Sequence, residues 1–272
     1  MDKDWSEKDC ASRNSELVLV AKSSGGITTV TLNDPQSKNA MSEQMATRFA
    51  EVMNQLGSDK ELRVVVLTGA GGAFSGGGHL EMLFDKTKLE RKENQSRMEI
   101  FYDQFLSVRK LAVPVIAAIG GHAVGAGLCL AMACDIRIAV TTAKLGLNFV
   151  NLGLHPGMGA TYFLPRLVGP ARAAELLYSG SIISADKGLS FGLINTLVEP
   201  ENFEAAVRSA AENISLAGPQ AVRALKQSLL LSEVATLESA LKREASCQAE
   251  DYAGSQFLEG ITAAREKRRP VF

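Results

Sequence analysis

The chain has 272 residues, of which 46 % are hydrophobic, and it carries a formal net charge of −1 at pH 7. That length is enough to bury a full core in one large domain, or in one domain with an appendage. The near-neutral charge argues against a nucleic-acid partner, because a nucleic-acid-binding face is basic. No uninterrupted apolar run reaches the roughly 20 residues of a membrane span, so we expect no membrane partner either.

The N-terminal residues and the cysteines bear on the compartment. Residues 1–15 are charged and have no apolar stretch, so they predict a flexible tail and not a signal peptide. The four cysteines form neither a CxxC pair nor a plausible zinc set. They favour a reducing compartment, the cytoplasm or an organellar matrix, and we expect no metal.

The first part of the chain predicts a hairpin, a helix and a buried strand. Two apolar runs, Leu17–Ala21 and Ile27–Leu32, flank Lys-Ser-Ser-Gly-Gly and predict a β-hairpin. Ser42 is a suitable N-cap for the helix that follows, whose apolar residues recur at helical spacing. Residues 63–68 form a continuous apolar run, which is typical of a strand covered on both faces.

The middle of the chain predicts a loop, a helix and a strand that leads into a second, buried helix. The charged residues 85–96 predict a mobile loop, and residues 97–111 predict a helix. Residues 113–119 are rich in β-branched side chains and predict a buried strand. Residues 126–133 are apolar throughout and predict a short buried helix.

The last part of the chain is predicted to be mainly helical. A strand is predicted over residues 136–140, and Gly169-Pro170 and Gly218-Pro219 each place proline at the expected first position of a helix. A further helix and strand are predicted over residues 185–198, and helices from Phe203 onward. Strands alternating with helices before a helical end predict an α/β domain with a mainly parallel sheet.

Three glycine-rich segments separate these elements: residues 69–78 form the first glycine loop, residues 120–125 the second and residues 145–159 the third. The second lies between a predicted strand and a buried helix. This arrangement directs free peptide N–H groups at one point, which favours a negatively charged oxygen. The alternative is that these glycines only permit tight packing of strands on helices.

Two other interpretations of the glycine loops receive less support. No GxxxxGK[ST] motif is present, and the second loop lacks the third glycine of a dinucleotide-binding fingerprint. Ser75 could be the nucleophile of a hydrolase elbow, but the preceding strand is predicted to end near Thr68. Ser75 would then not occupy the sharp strand-to-helix turn that such a nucleophile requires.

Several short motifs together resemble the crotonase (enoyl-CoA hydratase/isomerase) superfamily. The resemblance spans about residues 16–272. The motifs are Leu32-Asn-Asp-Pro with Asn39-Ala40, Phe74-Ser-Gly-Gly-Gly-His-Leu80, Pro114-Val-Ile-Ala-Ala118, Gly121-His-Ala-Val-Gly-Ala-Gly127, Ala133-Cys-Asp-Ile-Arg137, Gly153-Leu-His-Pro-Gly157, Phe257-Leu-Glu-Gly260 and Glu266-Lys-Arg268 with Pro270.

The resemblance implies an α/β fold, a ClpP-like spiral of ββα units over residues 16–200. It implies a helical C-terminal trimerisation region over residues 201–272 and assembly as a homotrimer or a dimer of trimers. The implied substrate is an acyl-CoA thioester, with coenzyme A as part of the substrate and no separate cofactor. The implied common step is stabilisation of an enolate by two backbone amides, those of Gly78 and Ala126.

The same resemblance implies further substrate-binding positions, including basic side chains for the phosphates of coenzyme A. For the Lys-Arg-Arg run near the end of the chain, a solvated tail is the alternative. The implied positions are Lys38, Ala40, Gly76, His79, Leu80, Gly125, Lys267 and Arg268.

The chain departs from the family pattern where hydratases carry two catalytic glutamates. Counting without gaps, those positions hold Cys129 and Phe149, and neither side chain can replace a carboxylate acid or base. The position after the first oxyanion residue, usually aspartate, is His79. We take His155, which precedes a proline in the third glycine loop, as the candidate acid/base. The alternative for His155 is a loop histidine that is hydrogen-bonded to the backbone and takes no part in catalysis. The alternative to a nucleophilic Cys129 is an inert thiol in the core.

Three function classes follow from these observations. The leading hypothesis is an acyl-CoA enzyme of the enoyl-CoA hydratase/isomerase type in which hydration is doubtful, so that isomerisation, decarboxylation or thioester hydrolysis comes into consideration. The second is a catalytically silent acyl-CoA-binding homologue that keeps the two amides. The third is a hydrolase that uses Ser75.

Overall fold

A computed structural model describes residues 17–272, and the predicted tail, residues 1–15, lies outside the described residues. Within the described range the chain forms ten strands and eleven α-helices. The strands are β1 (Val18–Lys22), β2 (Ile27–Leu32), β3 (Val64–Gly69), β4 (Ala73–Ser75), β5 (Val115–Ile119), β6 (His122–Val124), β7 (Ile136–Val140), β8 (Lys144–Gly146), β9 (Ile182–Ser184) and β10 (Thr196–Val198). The helices are α1 (Glu43–Gly57), α2 (Leu80–Lys86), α3 (Arg91–Leu106), α4 (Ala126–Met132), α5 (Ala160–Val168), α6 (Pro170–Ser179), α7 (Ala185–Phe191), α8 (Phe203–Ser215), α9 (Pro219–Ser232), α10 (Leu237–Tyr252) and α11 (Ser255–Glu266).

The strands form two sheets, and the chain alternates between them. The six-stranded sheet has the order β1-β2-β3-β5-β7-β10, and the four-stranded sheet has the order β4-β6-β8-β9. Neighbours are parallel except in the β1–β2 hairpin and the β8–β9 pair. From β3 to β8, each odd-numbered strand joins the larger sheet, each even-numbered strand joins the smaller one, and helices follow each pair. This repetition is the predicted spiral of ββα units.

Helices cover both faces of the larger sheet. On one face α1 begins after Ser42, whose side chain accepts a hydrogen bond from the amide of Met45, so the predicted N-cap is confirmed. Phe49 of α1 packs on Phe105 of α3, with ring centroids 5.4 Å apart. On the other face α8 buries Val207 against the sheet. Because both faces are covered at β3, its residues Val64–Leu67 are apolar and buried, as predicted for this segment.

Two local predictions were wrong. The charged residues 85–96 are not a loop: α2 continues to Lys86, and α3 begins at Arg91. The first glycine loop is not irregular throughout, because Ala73–Ser75 forms β4 and pairs with β6. That short strand requires a partner distant in sequence, so no local pattern indicates it.

The C-terminal part is helical, as predicted. Pro170 and Pro219 are the first residues of α6 and α9, which confirms both predicted helix starts. The predicted division of the chain at residue 200 remains a prediction, and α8 packs directly on the larger sheet. Among residues 17–272, no helix combines the length and the apolar character needed to cross a bilayer.

Candidate active site

Asn39 connects the segment before α1 to the first glycine loop. Its side-chain Nδ2 donates hydrogen bonds to the carbonyl oxygens of Ala70 and Ala73, both at 2.8 Å. Its Oδ1 accepts a bond from the amide of Asp34 at 2.9 Å. Asn39 is fully buried and has a φ of 55°, a left-handed conformation that asparagine tolerates better than most residues. The side chain therefore fixes both segments against each other.

The amide of Gly78 is left unpaired by the bonds around it. The amide of Met41 donates to the carbonyl oxygen of Gly77 at 2.7 Å, and the amide of His79 donates to that of Met41 at 3.1 Å. In this parallel bridge the N–H of Gly78 points away from Met41. Among residues 17–272, no acceptor receives that N–H.

The amide of Ala126 is unpaired for a different reason. Ala126 is the first residue of α4, where a backbone N–H has no partner within the helix. The amide of Gly125, just before it, donates to the carbonyl oxygen of Gly146 at 2.8 Å. Gly125 has φ 55° and ψ −126°, a conformation that a residue with a side chain rarely adopts. In the described part of the chain, the Ala126 N–H also lacks an acceptor.

The two loops that carry these amides touch each other at Gly77 and Gly125. A Cβ atom on Gly125 would lie 3.8 Å from the Cα of Gly77. A Cβ on Gly77, which has a φ of +96°, would lie 2.8 Å from the carbonyl oxygen of Val124 and 3.5 Å from the amide nitrogen of Ala126. Only glycine permits this approach, which brings the segments of Gly78 and Ala126 together.

Cys129 lies one turn along α4 from Ala126 and is fully buried. Its Sγ donates a weak hydrogen bond to the carbonyl oxygen of Gly157, with a separation of 3.5 Å. Burial raises the pKa of the Cys129 thiol far above its ordinary value. The thiol is therefore neutral and a poor nucleophile at physiological pH, as expected of a core cysteine.

Tyr102 of α3 also contacts Gly157, the residue whose carbonyl oxygen bonds to Cys129. A Cβ atom on Gly157 would collide with the hydroxyl of Tyr102, so the hydroxyl rests directly on that glycine. Burial raises the pKa of Tyr102, and the neighbouring Cys129 adds to the shift. Sequence reasoning missed Tyr102, because its contact with Gly157 joins residues that are distant in the chain and no local motif marks it.

Phe149 and Asn148 begin a 3₁₀ turn, Asn148–Leu152, after β8. Phe149 is partly buried and packs against the hydrophobic core. The Oδ1 of Asn148 would lie 3.6 Å from a Cβ on Gly125, so this amide side chain borders the second glycine loop. The segment thus brings a phenyl ring and a neutral amide to the region, and no carboxylate.

Known proteins resemble the chain over nearly its whole length. The family model for enoyl-CoA hydratase/isomerase matches residues 22–272. The chain belongs to the enoyl-CoA hydratase/isomerase family. The resemblance to the crotonase superfamily inferred from the motifs is therefore confirmed.

Individual relatives agree with this assignment. The chain is 33 % identical to the crotonyl-CoA hydratase of Syntrophomonas wolfei, over 89 % of this chain and 92 % of that protein. It is 36 % identical to a probable enoyl-CoA hydratase of Bacillus subtilis, over 90 % of this chain and 95 % of the relative. The crystal structure of enoyl-CoA hydratase from Bacillus anthracis superposes with a TM-score of 0.89 at 32 % identity, covering 94 % and 98 % of the two chains. The predicted crotonase fold is confirmed.

The three histidines of this family member occupy separate positions. His155 is exposed, and its Nδ1 lies 2.8 Å from the carbonyl oxygen of Pro156. His79 occupies the N-cap position of α2, but its side chain makes no capping bond. His122 is exposed on β6, where its Nδ1 accepts a hydrogen bond from the amide of Lys144 at 3.2 Å. The acid/base role of His155 stays a prediction.

Ser75 is poorly placed to act as a nucleophile. It ends β4 and is fully buried. Its Oγ donates to the carbonyl oxygen of Asn39 at 2.8 Å and accepts the amide of Gly77 at 3.2 Å. Both bonds hold the first glycine loop together, and in the described part of the chain no histidine contacts this oxygen.

Apart from Gly125, which lies in the second glycine loop, the substrate-binding positions implied by the resemblance fall into two groups. Those in the first part of the chain surround the first glycine loop: the amide of Gly76 donates to the carbonyl oxygen of Lys38 at 2.8 Å. Near this loop, Ala40 is buried, whereas the side chains of Lys38 and Leu80 are exposed, that of Leu80 to 71 %.

The second group, Lys267 and Arg268, lies in the C-terminal segment. Arg268 is paired with Glu259 and Glu266, both at 2.6 Å. No described contact joins either residue to the glycine loops. Both remain predicted binders of the coenzyme A phosphates.

A cavity of about 550 Å³ opens between α1 and α2, beside the first glycine loop. His79 is one of its lining residues, together with Met82 and the ion pair of Glu43 with Lys86. Neither Gly78 nor Ala126 lines this cavity, so we locate the candidate active site from the two unpaired amides and not from the cavity. Among the described residues, no three histidine, cysteine or carboxylate side chains come together as a metal site would need.

Proposed function

We propose that this protein is an acyl-CoA enzyme that stabilises the enolate of its thioester substrate between the amide N–H groups of Gly78 and Ala126. The observation that carries the proposal is the pair of unpartnered amides on two loops in contact at Gly77 and Gly125. Two such donors stabilise a carbonyl oxygen as it gains charge, and each is typically worth about 2.7–4 kcal/mol in the transition state.

The side chains near the amides limit the reactions that can follow. Cys129 and Phe149, at the counted positions of the two usual glutamates, supply neither a carboxylate base nor a carboxylic acid. We therefore expect hydration of an enoyl-CoA to be slow, although relatives bear the names of hydratases. Enolate formation that needs no base fits better.

Loss of CO₂ from a malonyl-type thioester is the candidate reaction that these side chains favour. When the bond between the α-carbon and its carboxylate breaks, the electron pair forms the enolate directly, and no base is required. What remains is a charged oxygen for the two amides and a carbon that must receive one proton.

A proline at position 126 tests the proposal. Proline removes the N–H that the proposal needs, and it is well tolerated at the first position of a helix, as at Pro170 and Pro219 in this chain. We expect Ala126→Pro to lower kcat/KM about 10²–10³-fold. The matched control is Arg91→Pro, which places proline at the first position of α3, where the side chain is exposed.

The assay is a thioester panel with wild type and both variants. Crotonyl-CoA hydration is followed by loss of the enoyl absorbance, and malonyl-type decarboxylation by CO₂ release. An Ala126→Pro variant that folds and keeps wild-type activity would overturn the proposal. Binding of acyl-CoA without turnover of any thioester would favour the silent homologue instead.

The assembly of the protein is a further part of this proposal. Helices α9 to α11 expose large apolar side chains, which supports a homotrimer or a dimer of trimers. Light scattering on the full chain tests that state. The exposed apolar residues on these helices are Leu225, Leu229, Leu231, Leu237, Leu241, Tyr252, Phe257, Leu258 and Ile261.

A further inference from the structure

We infer that the hydroxyl of Tyr102, in place of the exposed His155, is the proton donor of this site and delivers its proton to the α-carbon of the enolate held by Gly78 and Ala126. The inference rests on the proposed enolate chemistry and adds to it the acid that the replaced glutamates do not provide. It assigns a catalytic role to α3, a helix that the sequence motifs leave out.

The position of the hydroxyl is the first support. It touches Gly157, whose carbonyl oxygen accepts the hydrogen bond from Cys129. Cys129 in turn lies three residues after Ala126 on α4, so the two share one face of that helix. The hydroxyl thus contacts the residue that bonds to Cys129, the position counted for a catalytic glutamate, and Cys129 lies one helical turn from the amide of Ala126.

The second support is that the hydroxyl has no hydrogen-bond partner within residues 17–272. Tyr102 is partly buried and packs against Phe101, with ring centroids 6.3 Å apart. By contrast, the hydroxyl of Tyr162 donates to Glu233. The oxygen of Tyr102 is not one of the fully enclosed polar atoms without a partner, so water reaches it in the free protein and a bound substrate can take the place of that water.

The third support is the glycine at position 157. Its backbone needs no positive φ, so its conformation alone does not require glycine. Its missing side chain is what admits the hydroxyl of Tyr102. The glycine in the Gly153-Leu-His-Pro-Gly157 segment therefore has a role in this chain, which is to leave room for the phenol.

The protonation state agrees with an acid and not with a base. Burial raises the pKa of Tyr102, so the phenol keeps its proton at neutral pH and can donate it. In the reaction, the bond from the α-carbon to its carboxylate breaks, CO₂ leaves, and the electron pair enters the enolate. The O–H of Tyr102 then breaks as a C–H bond forms at the α-carbon, and water returns a proton to the phenolate.

Tyr102→Phe tests the inference because it removes only the hydroxyl. With a methylmalonyl-type thioester we expect kcat to fall about 10²-fold or more, while the affinity for an acyl-CoA analogue changes less than about twofold. In D₂O the wild type should place one deuterium stereospecifically at the α-carbon. The variant should give a mixture of both configurations at the deuterated α-carbon, because water then delivers deuterium to either face of the enolate. Stereochemistry is a readout that a purely structural role would not change.

Two further variants sharpen the test. Tyr162→Phe is the matched control, because it deletes a hydroxyl of the same kind that is bound to Glu233, and it should keep wild-type kcat and stereochemistry. Gly157→Ala should displace the phenol and reproduce the loss seen in Tyr102→Phe. The double variant, Tyr102→Phe with Gly157→Ala, should then be no slower than either single variant, since both act on one group.

The outcomes separate this inference from the proposed function. If Ala126→Pro loses activity and Tyr102→Phe keeps both kcat and stereospecific labelling, the enolate proposal stands and the role of Tyr102 is overturned. If both variants keep wild-type activity, both proposals are wrong. A wild type that neither decarboxylates a malonyl-type thioester nor exchanges the α-protons of an acyl-CoA also overturns the inference.

Discussion

The side chain of Asn39 should be among the most costly to remove. Asn39→Ala deletes the two bonds that Asn39 donates to Ala70 and Ala73 and the one that it accepts from Asp34. It also places alanine at a φ of 55°, where asparagine is better tolerated. Because Asn39 is fully buried, water cannot replace the lost partners.

The magnitude follows from counting these effects. Three hydrogen bonds at about 1 kcal/mol each, with about 1 kcal/mol for the left-handed backbone, give a loss of about 3–4 kcal/mol in the free energy of unfolding. For a chain of this size that loss corresponds to a fall in Tm of about 6–16 °C. Asn39→Asp should be at least as destabilising, since it points a carboxylate at the two carbonyl oxygens.

Thermal and urea unfolding of the two variants measure this loss directly. The control is Asn54→Ala on the exposed face of α1, which should stay within about 0.5 kcal/mol of wild type. A loss below about 1 kcal/mol for Asn39→Ala, or an Asn39→Asp variant more stable than Asn39→Ala, would refute the reasoning. Activity should fall as well, because Met41 and Gly78 pair just after this anchor.

Three further predictions concern charge and burial. The side chain of Lys226 is 5 % exposed, and its Nζ lies 2.9 Å from a carboxylate oxygen of Asp135. Lys226→Met should therefore lower the free energy of unfolding, measured in urea, by about 3 kcal/mol. An unchanged free energy of unfolding would contradict this. Arg268 lowers the pKa of Glu259 from 4.5 to about 2, so the stability gained from this pair is complete above pH 4.5 and lost as the pH falls towards 2. Arg268→Gln should therefore weaken the dependence of Tm on pH in this range. If the plots of Tm against pH are the same for the variant and the wild type, the prediction is wrong. The thiol of Cys129 should resist alkylation in the native protein and react after unfolding, as peptide mapping can test; fast native labelling would contradict its burial.

Local patterns predicted the elements that depend on neighbours in the sequence. The helix after Ser42 is one example, because its cap and its apolar spacing lie within one segment. The prediction of a loop over residues 85–96 was wrong because a high density of charged residues is also typical of solvent-exposed helices. In the structure these charges lie on helices, where Arg97 pairs with Glu93 four residues before it.

The candidate site was predictable only in part. The glycine loops around Gly78 and Ala126 could be recognised from the sequence, since strand, glycine turn and helix follow each other in the chain. The contact of Gly77 with Gly125 joins distant segments, and only the fold reveals it. Tyr102 was missed for the same reason, as its neighbour Gly157 lies on another element.

The proposed chemistry requires that the two amides bind one oxygen, and a crystal structure with a bound acyl-CoA enolate analogue tests this directly. We predict that the oxygen of the analogue lies about 2.7–3.1 Å from the amide nitrogens of both Gly78 and Ala126. An analogue whose oxygen contacts only one of these nitrogens, or neither, would contradict the central claim.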